Sequence, residues 1–404
     1  MPRFRWESQF KETEIGKIPK EWDETTLNEI VNADESSKQV LDSSYVNFIS
    51  MKNIYSDNYI PSFEVLRLDD VKSGREVGPN SILVAKITPS FEHGKMCIVP
   101  NIKKIRWFAT TEVFSLQPKD DNDLFFIFYL LKHPALREIL ESSMSGTSGR
   151  QRVQSSALRD LTIPYPSPPE KSRISTILTW FDNLVANKRK QNKILEKIAT
   201  SIFKSWFIDF EPFKGEEFVE DTEFGRLPSG WAVKRLEDVA SFSYGEGLPE
   251  NRRIEGPYPV VGSSGVIGYH SEYLVSAPSI VVGRKGNVGS VYLMLEPSFP
   301  IDTVFYSKNT TRPELVFYLY HYLNKVSLED VGLTHTAVPG LGIEILYAIN
   351  VVVPPTPVLQ KFYSVTYQLF QKINLNQKEI TILKKVRDAF LPLLVFGELR
   401  VEEI

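Results

Sequence analysis

Two stretches of the chain place residues on a single line at alternating steps of four and three. In the first, Ile174, Leu178, Phe181, Val185, Lys188, Asn192, Leu195, Ala199, Ile202 and Trp206 share that line. In the second it runs through Leu359, Phe362, Thr366, Leu369, Ile373, Asn376, Ile380, Leu383, Arg387 and Phe390. A mean period of about 3.5 marks a coiled-coil seam rather than the broad face of a globular helix. The first predicted helix opens at Ser167-Pro168-Pro169-Glu170, with Ser as N-cap, Pro at the first helical position and Glu placed for a capping box. It closes near Glu211-Pro212 and Gly215. The second opens at Thr356-Pro357, with Thr356 as N-cap, and closes at Pro392 and Gly397. Asn192 and Asn376 occupy comparable seam positions, where a buried Asn fixes register at a cost in stability. Two long capped seams in one chain satisfy each other, which predicts an intramolecular coiled coil of about 35-residue helices, on the order of 50 Å long. The other reading, each helix packed on its own globular part, stays open at this point.

Ahead of each seam lies a region of about 150 residues rich in β-branched and aromatic residues and broken by Gly and Pro. Ile82–Ile87 and Ser279–Val282 read as strands. Asp123–Glu141 and Arg312–Val326 read as helices, and each is followed by a proline cluster and then a long helix. The resulting plan occurs twice, and short segments echo in order. Ile18-Pro19-Lys20-Glu21-Trp22 returns as Leu227-Pro228-Ser229-Gly230-Trp231, and Leu27-Asn28-Glu29-Ile30 as Leu236-Glu237-Asp238-Val239. Ser81–Lys86 returns as Ser279–Arg284, Thr111-Glu112-Val113-Phe114 as Asp302-Thr303-Val304-Phe305, and Phe128-Tyr129-Leu130 as Phe317-Tyr318-Leu319. Ordered echoes with drifting spacing are the signature of duplicated units that diverged in their loops. The expected fold class is α+β: a pseudo-two-fold duplicated chain, with two mixed α/β domains at 1–165 and 215–353. Long helices at 166–214 and 354–404 pair as an antiparallel coiled coil. Each domain is expected to have an irregular, curved sheet and a few short helices.

Composition narrows the function. At 404 residues the chain allows two to four folding units. Its 42% hydrophobic and 24% charged residues exclude a disordered tail or a collagen-like chain. Apolar runs such as Leu124–Leu131 fall far short of the roughly 20 residues that cross a bilayer. The opening Met1–Glu7 has no apolar core of a secretory signal. With Cys97 as the one cysteine, no internal disulfide can form, and a cytoplasmic location is expected. A net charge of −3 runs against a stand-alone nucleic-acid binder, which is usually basic.

Catalytic patterns are missing. There is no phosphate-binding GxxxxGK[ST] loop, no GxSxG and no HExxH. Gly283–Gly289 is glycine-rich with the wrong spacing for nucleotide binding, and Ile163-Pro164-Tyr165-Pro166 lacks the acidic or amide residue of an amino-methyltransferase motif. Asp69-Asp70-Val71-Lys72 is the nearest fragment to a nuclease metal site, but charge-rich turns often look like this. His93, His133, His270, His321 and His335 have no zinc-site spacing, so neither a metal nor a catalytic residue is expected. What remains are loops suited to DNA. Ser263 and Ser264 lie in a small Gly-flanked turn, and Arg284, Lys285 and Asn287 follow a strand. His335 and Thr336 lie in the loop Thr334–Gly340. The matching places in the first unit are Lys86, Thr88 and Ser90, then Thr147, Arg150 and Arg152, with Lys52 and Asn53 as a further polar pair. Arg to guanine and Asn to adenine are favoured bidentate contacts. Taken singly, each loop reads first as solvated surface. An enzyme with its own site and a regulatory DNA binder acting alone are the competing readings.

The paired Ile18–Trp22 and Leu227–Trp231 segments, Tyr258–His270 followed by Ile280–Gly286, and the helical stretch Ile198–Pro212 carry a resemblance. Together they resemble the specificity subunit of type I DNA restriction–modification systems, over nearly the whole chain. The resemblance implies two target recognition domains, each followed by a long helix, the helices pairing antiparallel as a ruler. It implies double-stranded DNA as ligand and no catalysis by the chain itself. Two modification subunits would methylate adenine with S-adenosylmethionine, and restriction subunits would use ATP and magnesium to translocate and cleave. The chain would hold no cofactor and contact no membrane. Two diverged domains would read an asymmetric, two-part target. Lys171, Arg173, Lys188, Arg189, Lys190, Lys193 and Lys197 form a solvated face or would face partners or spacer DNA, with partner contact the favoured reading. Phe203, Trp206, Phe207 and Phe210, too apolar for water, would anchor a partner.

Overall fold

The computed structural model describes residues 2–33, 44–102, 105–221, 223–308, 312–326, 328 and 340–404. The chain divides into two units, Met1–Lys188 with Glu379–Ile404, and Arg189–Lys378. Both long helices, Pro168–Phe207 and Thr356–Val395, cross that division, so each unit owns half of each.

In the first unit a four-stranded antiparallel sheet runs Met96–Ile98, Ile82–Ala85, Val113–Pro118, Val31–Ala33. All four residues of Ile82–Ala85 are buried. Alternation across the strand explains this. Ile82 and Val84 join the main core with Phe114, Leu116 and Phe126, while Leu83 points the other way, to Cys97, Val113 and Trp107. That second face is closed by another sheet, ordered Glu64–Arg67, Tyr45–Ile49, Trp107–Ala109, Arg75–Val77. Its Tyr45–Ile49 and Trp107–Ala109 strands run parallel.

The second unit repeats this arrangement. Its sheet runs Phe242–Tyr244, Val304–Ser307, Ser279–Gly283, Val291–Met294, the first unit's order seen from the other edge. Ile280 and Val282 enter the main core with Phe305, and Val281 joins Val261 and Val304 on the far side. Tyr258–Gly262 pairs in parallel with Phe299–Pro300 and antiparallel with Gly265–His270. Each unit also has an opening hairpin (Phe10–Thr13 with Gly16–Pro19; Phe218–Asp221 with Gly225–Pro228). A ladder then leads to the long helix, Asp23–Thr26 with Thr162–Tyr165 and Ala232–Arg235 with Asn350–Val353. The first unit is completed by Arg3–Trp6 pairing antiparallel with Leu399–Glu403.

The echoed tryptophans sit in different chemistry. Trp22 is buried and donates its indole N–H to Glu170 at 2.9 Å. Arg400 lies over the Trp22 ring, 5.5 Å from its centroid, and pairs with Glu170, Glu7 and Glu21. Glu170 is therefore the buried centre of an ionic cluster. It does not turn back to cap the helix as the capping-box pattern predicted, because the indole and the guanidinium occupy its oxygens. Around Trp231 the same space holds Phe207, Phe210 and Phe213 at centroid distances of 5.3–5.8 Å.

All twenty seam positions read from the sequence are buried or partly buried. In the first unit Ile174 and Leu178 pack in one core with Leu391 and Leu394, and Asp182 pairs with Arg387 while accepting the Tyr129 hydroxyl at 2.7 Å. Lys188 pairs with Glu379. In the second unit Phe203 and Phe207 pack with Leu359 and Phe362, and the Asn376 amide donates to the Asn192 amide oxygen at 2.8 Å. The early half of one helix thus meets the late half of the other, an antiparallel pairing. The first helix stops at Phe207, short of the expected end, where Phe210 turns into the left-handed region and Glu211–Phe213 forms one tight turn. The second runs through Pro392 to Val395, because Leu391, Leu394 and Val395 bury the turn that the missing N–H weakens. Lys171 is not on the surface face. It is fully buried beside Asp123 and stacked on Tyr165, since a buried charge persists only when paired. Arg173 bonds the Val401 carbonyl at 2.6 Å. Among the described residues no helix is long and apolar enough to cross a membrane.

Replacing Asn376 with Ala leaves the Asn192 amide buried without its side-chain partner. A loss of about 1–3 kcal/mol is expected in urea unfolding, with an unchanged m-value. His321 is buried, stacked on Phe203 at 5.3 Å, and its Nε2 has no hydrogen-bond partner among the described residues. Burial lowers its pKa from 6.5 to about 4. The unfolded chain therefore takes up a proton that the folded chain refuses, and stability falls as pH drops below 6.5, levelling under about pH 4. Thermal unfolding of His321→Phe is expected to show a shallower acid limb than the parent.

Candidate nucleic-acid interface

In both units the central strand ends at a basic residue, Lys86 after Ile82–Ala85 and Arg284 after Ser279–Gly283. The backbone there is held identically. Lys86 N–H donates to the Glu112 carbonyl at 3.0 Å, and its own carbonyl accepts from Val153 N–H at 2.9 Å. Arg284 N–H donates to the Thr303 carbonyl at 3.0 Å, and its carbonyl accepts from Leu341 N–H at 2.9 Å. Duplication thus sets Lys86 and Arg284 at one equivalent point, surrounded by different side chains.

In the first unit residues 86–90 and 145–153 are laced together. Thr88 N–H bonds the Gln151 carbonyl at 3.0 Å, and Gln151 N–H returns to Thr88 Oγ1 at 3.1 Å. Ser145 and Arg152 exchange backbone bonds at 3.1 and 2.9 Å. Thr147, Arg150 and Arg152 are exposed, and Lys86 and Ser90 are half-buried. The Lys86 ammonium sits over the Phe114 ring at 5.7 Å. Arg152 grips Glu112 with Nε and Nη2, both at 2.9 Å. The hydrogen bond from Arg152, with the charges of Arg152 and Lys86, holds the Glu112 carboxyl below the usual carboxylate range.

Two residues expected on this face do other work. Thr88 is buried as the clasp just described. Asn53 is buried as well. Its Oδ1 accepts from Ser50 N and Oγ at 3.0 and 2.6 Å, and its Nδ2 donates to Ser62. Lys52 is exposed and paired with Glu64 at 2.9 Å.

In the second unit Ser263 is the buried hub. Its carbonyl accepts from Ser290 Oγ at 2.8 Å and Tyr292 OH at 3.0 Å, and its Oγ accepts from Asn287 N–H at 3.4 Å. That ties the turn Gly262–Gly265 to the loop after Arg284, leaving Ser264, Lys285 and Asn287 exposed. Arg284 is aimed by its Nη1 bond to the Asp302 carbonyl at 3.0 Å and by the Tyr244 ring at 4.8 Å. His335 and Thr336 lie outside the described residues.

The aromatic anchors expected for a partner are largely consumed within the second unit. Phe203 and Phe207 are buried in its core, and Trp206 and Phe210 are packed partly against it. Residues too apolar for water found cover under Phe362, Trp231 and Phe213. Glu112 and Thr303, which hold equivalent places beside Lys86 and Arg284, were not among the sequence candidates. Their signal was the echo of Thr111–Phe114 in Asp302–Phe305.

A family model described as the type I restriction modification DNA specificity domain matches this chain twice, over residues 19–197 and 228–385. The chain belongs to the type I restriction–modification DNA specificity family. The two matches coincide with the two repeats of the fold. Relatives include the type I restriction enzyme MjaIX specificity subunit of Methanocaldococcus jannaschii, 35% identical across 100% of this chain and 99% of that one. The EcoAI specificity subunit of Escherichia coli is 31% identical over 44% of this chain and 30% of its own length. A crystal structure of the type I restriction–modification S subunit from M. genitalium shares the fold, with a TM-score of 0.56 and 19% identity over 93% of this chain and 96% of that one. Each matched range holds one copy of the strand-end clasp, and the two copies carry different side chains.

The close packing behind the Arg284 loop is testable. A Cβ on Gly283 would lie 2.2 Å from the Asn287 carbonyl oxygen and 2.4 Å from Ser290 Oγ. Gly283→Ala must push that loop away, and a loss of about 1–3 kcal/mol is expected in thermal unfolding.

Proposed function

We propose that this chain is the sequence-reading subunit of a cytoplasmic type I restriction–modification complex, bound to double-stranded DNA. The observation that carries the reading is the repeated clasp. One scaffold presents Lys86, Arg150 and Arg152 in one unit, and Arg284, Lys285 and Asn287 in the other. Two equivalent scaffolds suit two half-sites, and different side chains suit different bases, so the target is a split, asymmetric motif. Exposed lysines and Thr147 suit phosphate contacts that position the protein, and Arg and Asn suit base edges.

The chain supplies recognition rather than catalysis. Two modification subunits bring S-adenosylmethionine and methylate adenine, and restriction subunits bring ATP and magnesium for translocation and cleavage. A net charge of −3 fits a subunit whose partners provide much of the grip on the DNA backbone. None of the relatives named above supports a regulatory protein acting alone.

Modified-base sequencing of host DNA, with and without this gene, tests the reading. Methyladenine at one split motif is expected to vanish on deletion. Unchanged methylation would sink the proposal.

A further inference from the structure

The Glu112–Arg152 pair lies at the edge of the first unit's clasp, with side chains 32% and 46% exposed. An ion pair this exposed adds little to folding stability. The loop also does not need it. Residues 145–153 are already held by the Ser145–Arg152 backbone exchange, by Val153 N–H on the Lys86 carbonyl and by the Thr88–Gln151 clasp. The pair's geometry has a different consequence. A guanidinium carries five N–H groups in a rigid fork. Glu112 takes the Nε/Nη2 side, both at 2.9 Å. The Nη1/Nη2 end of the fork is left with one long contact, Nη1 to the Arg150 carbonyl at 3.5 Å. Two parallel N–H groups at that spacing match the O6 and N7 acceptors of guanine.

The backbone that carries the carboxylate is itself fixed in place. Glu112 N–H bonds Thr110 Oγ1 at 3.3 Å, and its carbonyl accepts from Lys86 N–H at 3.0 Å. Its lowered pKa keeps it ionised at neutral pH, so it acts only as an acceptor for Arg152. A side chain pinned on one edge loses less freedom when its other edge binds. The equivalent of Glu112 in the second unit is Thr303, which cannot hold an arginine in this way.

We propose that Arg152, aimed by Glu112 as its positioning residue, reads one guanine in the half-site of the first unit. This rests on the sequence-reading function proposed above and assigns a base to one of its residues. Among the described residues the second unit has no counterpart of this pair.

The test co-expresses the full chain with its own modification subunits and maps methyladenine by single-molecule sequencing. The parent motif is expected to contain a fixed guanine in one half. Arg152→Ala is expected to make that position degenerate, with preference falling roughly tenfold or more, while every position of the other half-site stays intact. Arg152→Lys keeps the charge but loses the fork, and is expected to relax the same position. Glu112→Gln is expected to relax it to a smaller degree. An unchanged motif in all three variants would overturn the inference and leave the sequence-reading function standing. An even fall in methylation at all sites, with the motif intact, would assign the pair to loop structure and overturn it as well. A parent complex that marks no split motif would overturn both.

Discussion

The pairing of the two long helices is the constraint on which both units depend. Neither core closes without them. Ile174, Ile177 and Leu178 from the first helix and Leu391, Leu394 and Val395 from the second complete one core. Ala199, Phe203 and Phe207, with Leu359, Phe362 and Phe370, complete the other. A seam that was only apolar would allow slippage by a heptad. Polar pins at Asp182–Arg387, Lys188–Glu379 and Asn192–Asn376 oppose it, because each would lose a partner in any other register. The buried Asn pair contributes little net stability, and its value lies in specifying one alignment.

Around that frame the two units keep their backbone plan and change their chemistry. Beside Trp22 lie Glu170 and Arg400, and beside Trp231 lie three phenylalanines. A buried ion cluster can be replaced by a well-packed apolar one at little cost, provided the whole set changes together. The clasp loops vary under a looser constraint. Their backbone is tied by main-chain bonds such as Val153 to Lys86 and Leu341 to Arg284, which do not depend on side-chain identity. Side chains at those points can therefore change without disturbing the fold, as they do in functional loops on rigid scaffolds.

Charge follows the same division of labour. Part of the basic character suggested by the helix sequence is spent inside the chain. Lys171 lies beside Asp123, Arg173 bonds a carbonyl and Lys188 meets Glu379. The positive groups left exposed near the clasps are few, among them Arg150, Arg152 and Lys285. Base discrimination needs only a few well-aimed donors, whereas strong unaided binding would need many phosphate contacts.

The sequence by itself determined the elements whose cause is local. The alternation of four and three marks the seam residue by residue, because helical periodicity needs no distant partner. The buried run Ile82–Ala85, its echo at Ser279–Gly283 and the duplicated plan were legible for the same reason. The tertiary structure alone decided what each polar loop residue does. Asn53, Thr88 and Ser263 look like surface groups in sequence, yet they close turns against Ser62, Gln151 and Ser290. Glu170 read as a cap and became an ion-pair centre, since Arg400 arrives from 230 residues away. Glu112 carries no local signal of its role, because its partner Arg152 stands 40 residues further on. A polar side chain carries its hydrogen-bonding capacity in its own atoms, but whether water, protein or DNA satisfies that capacity depends on which distant segments the fold brings beside it.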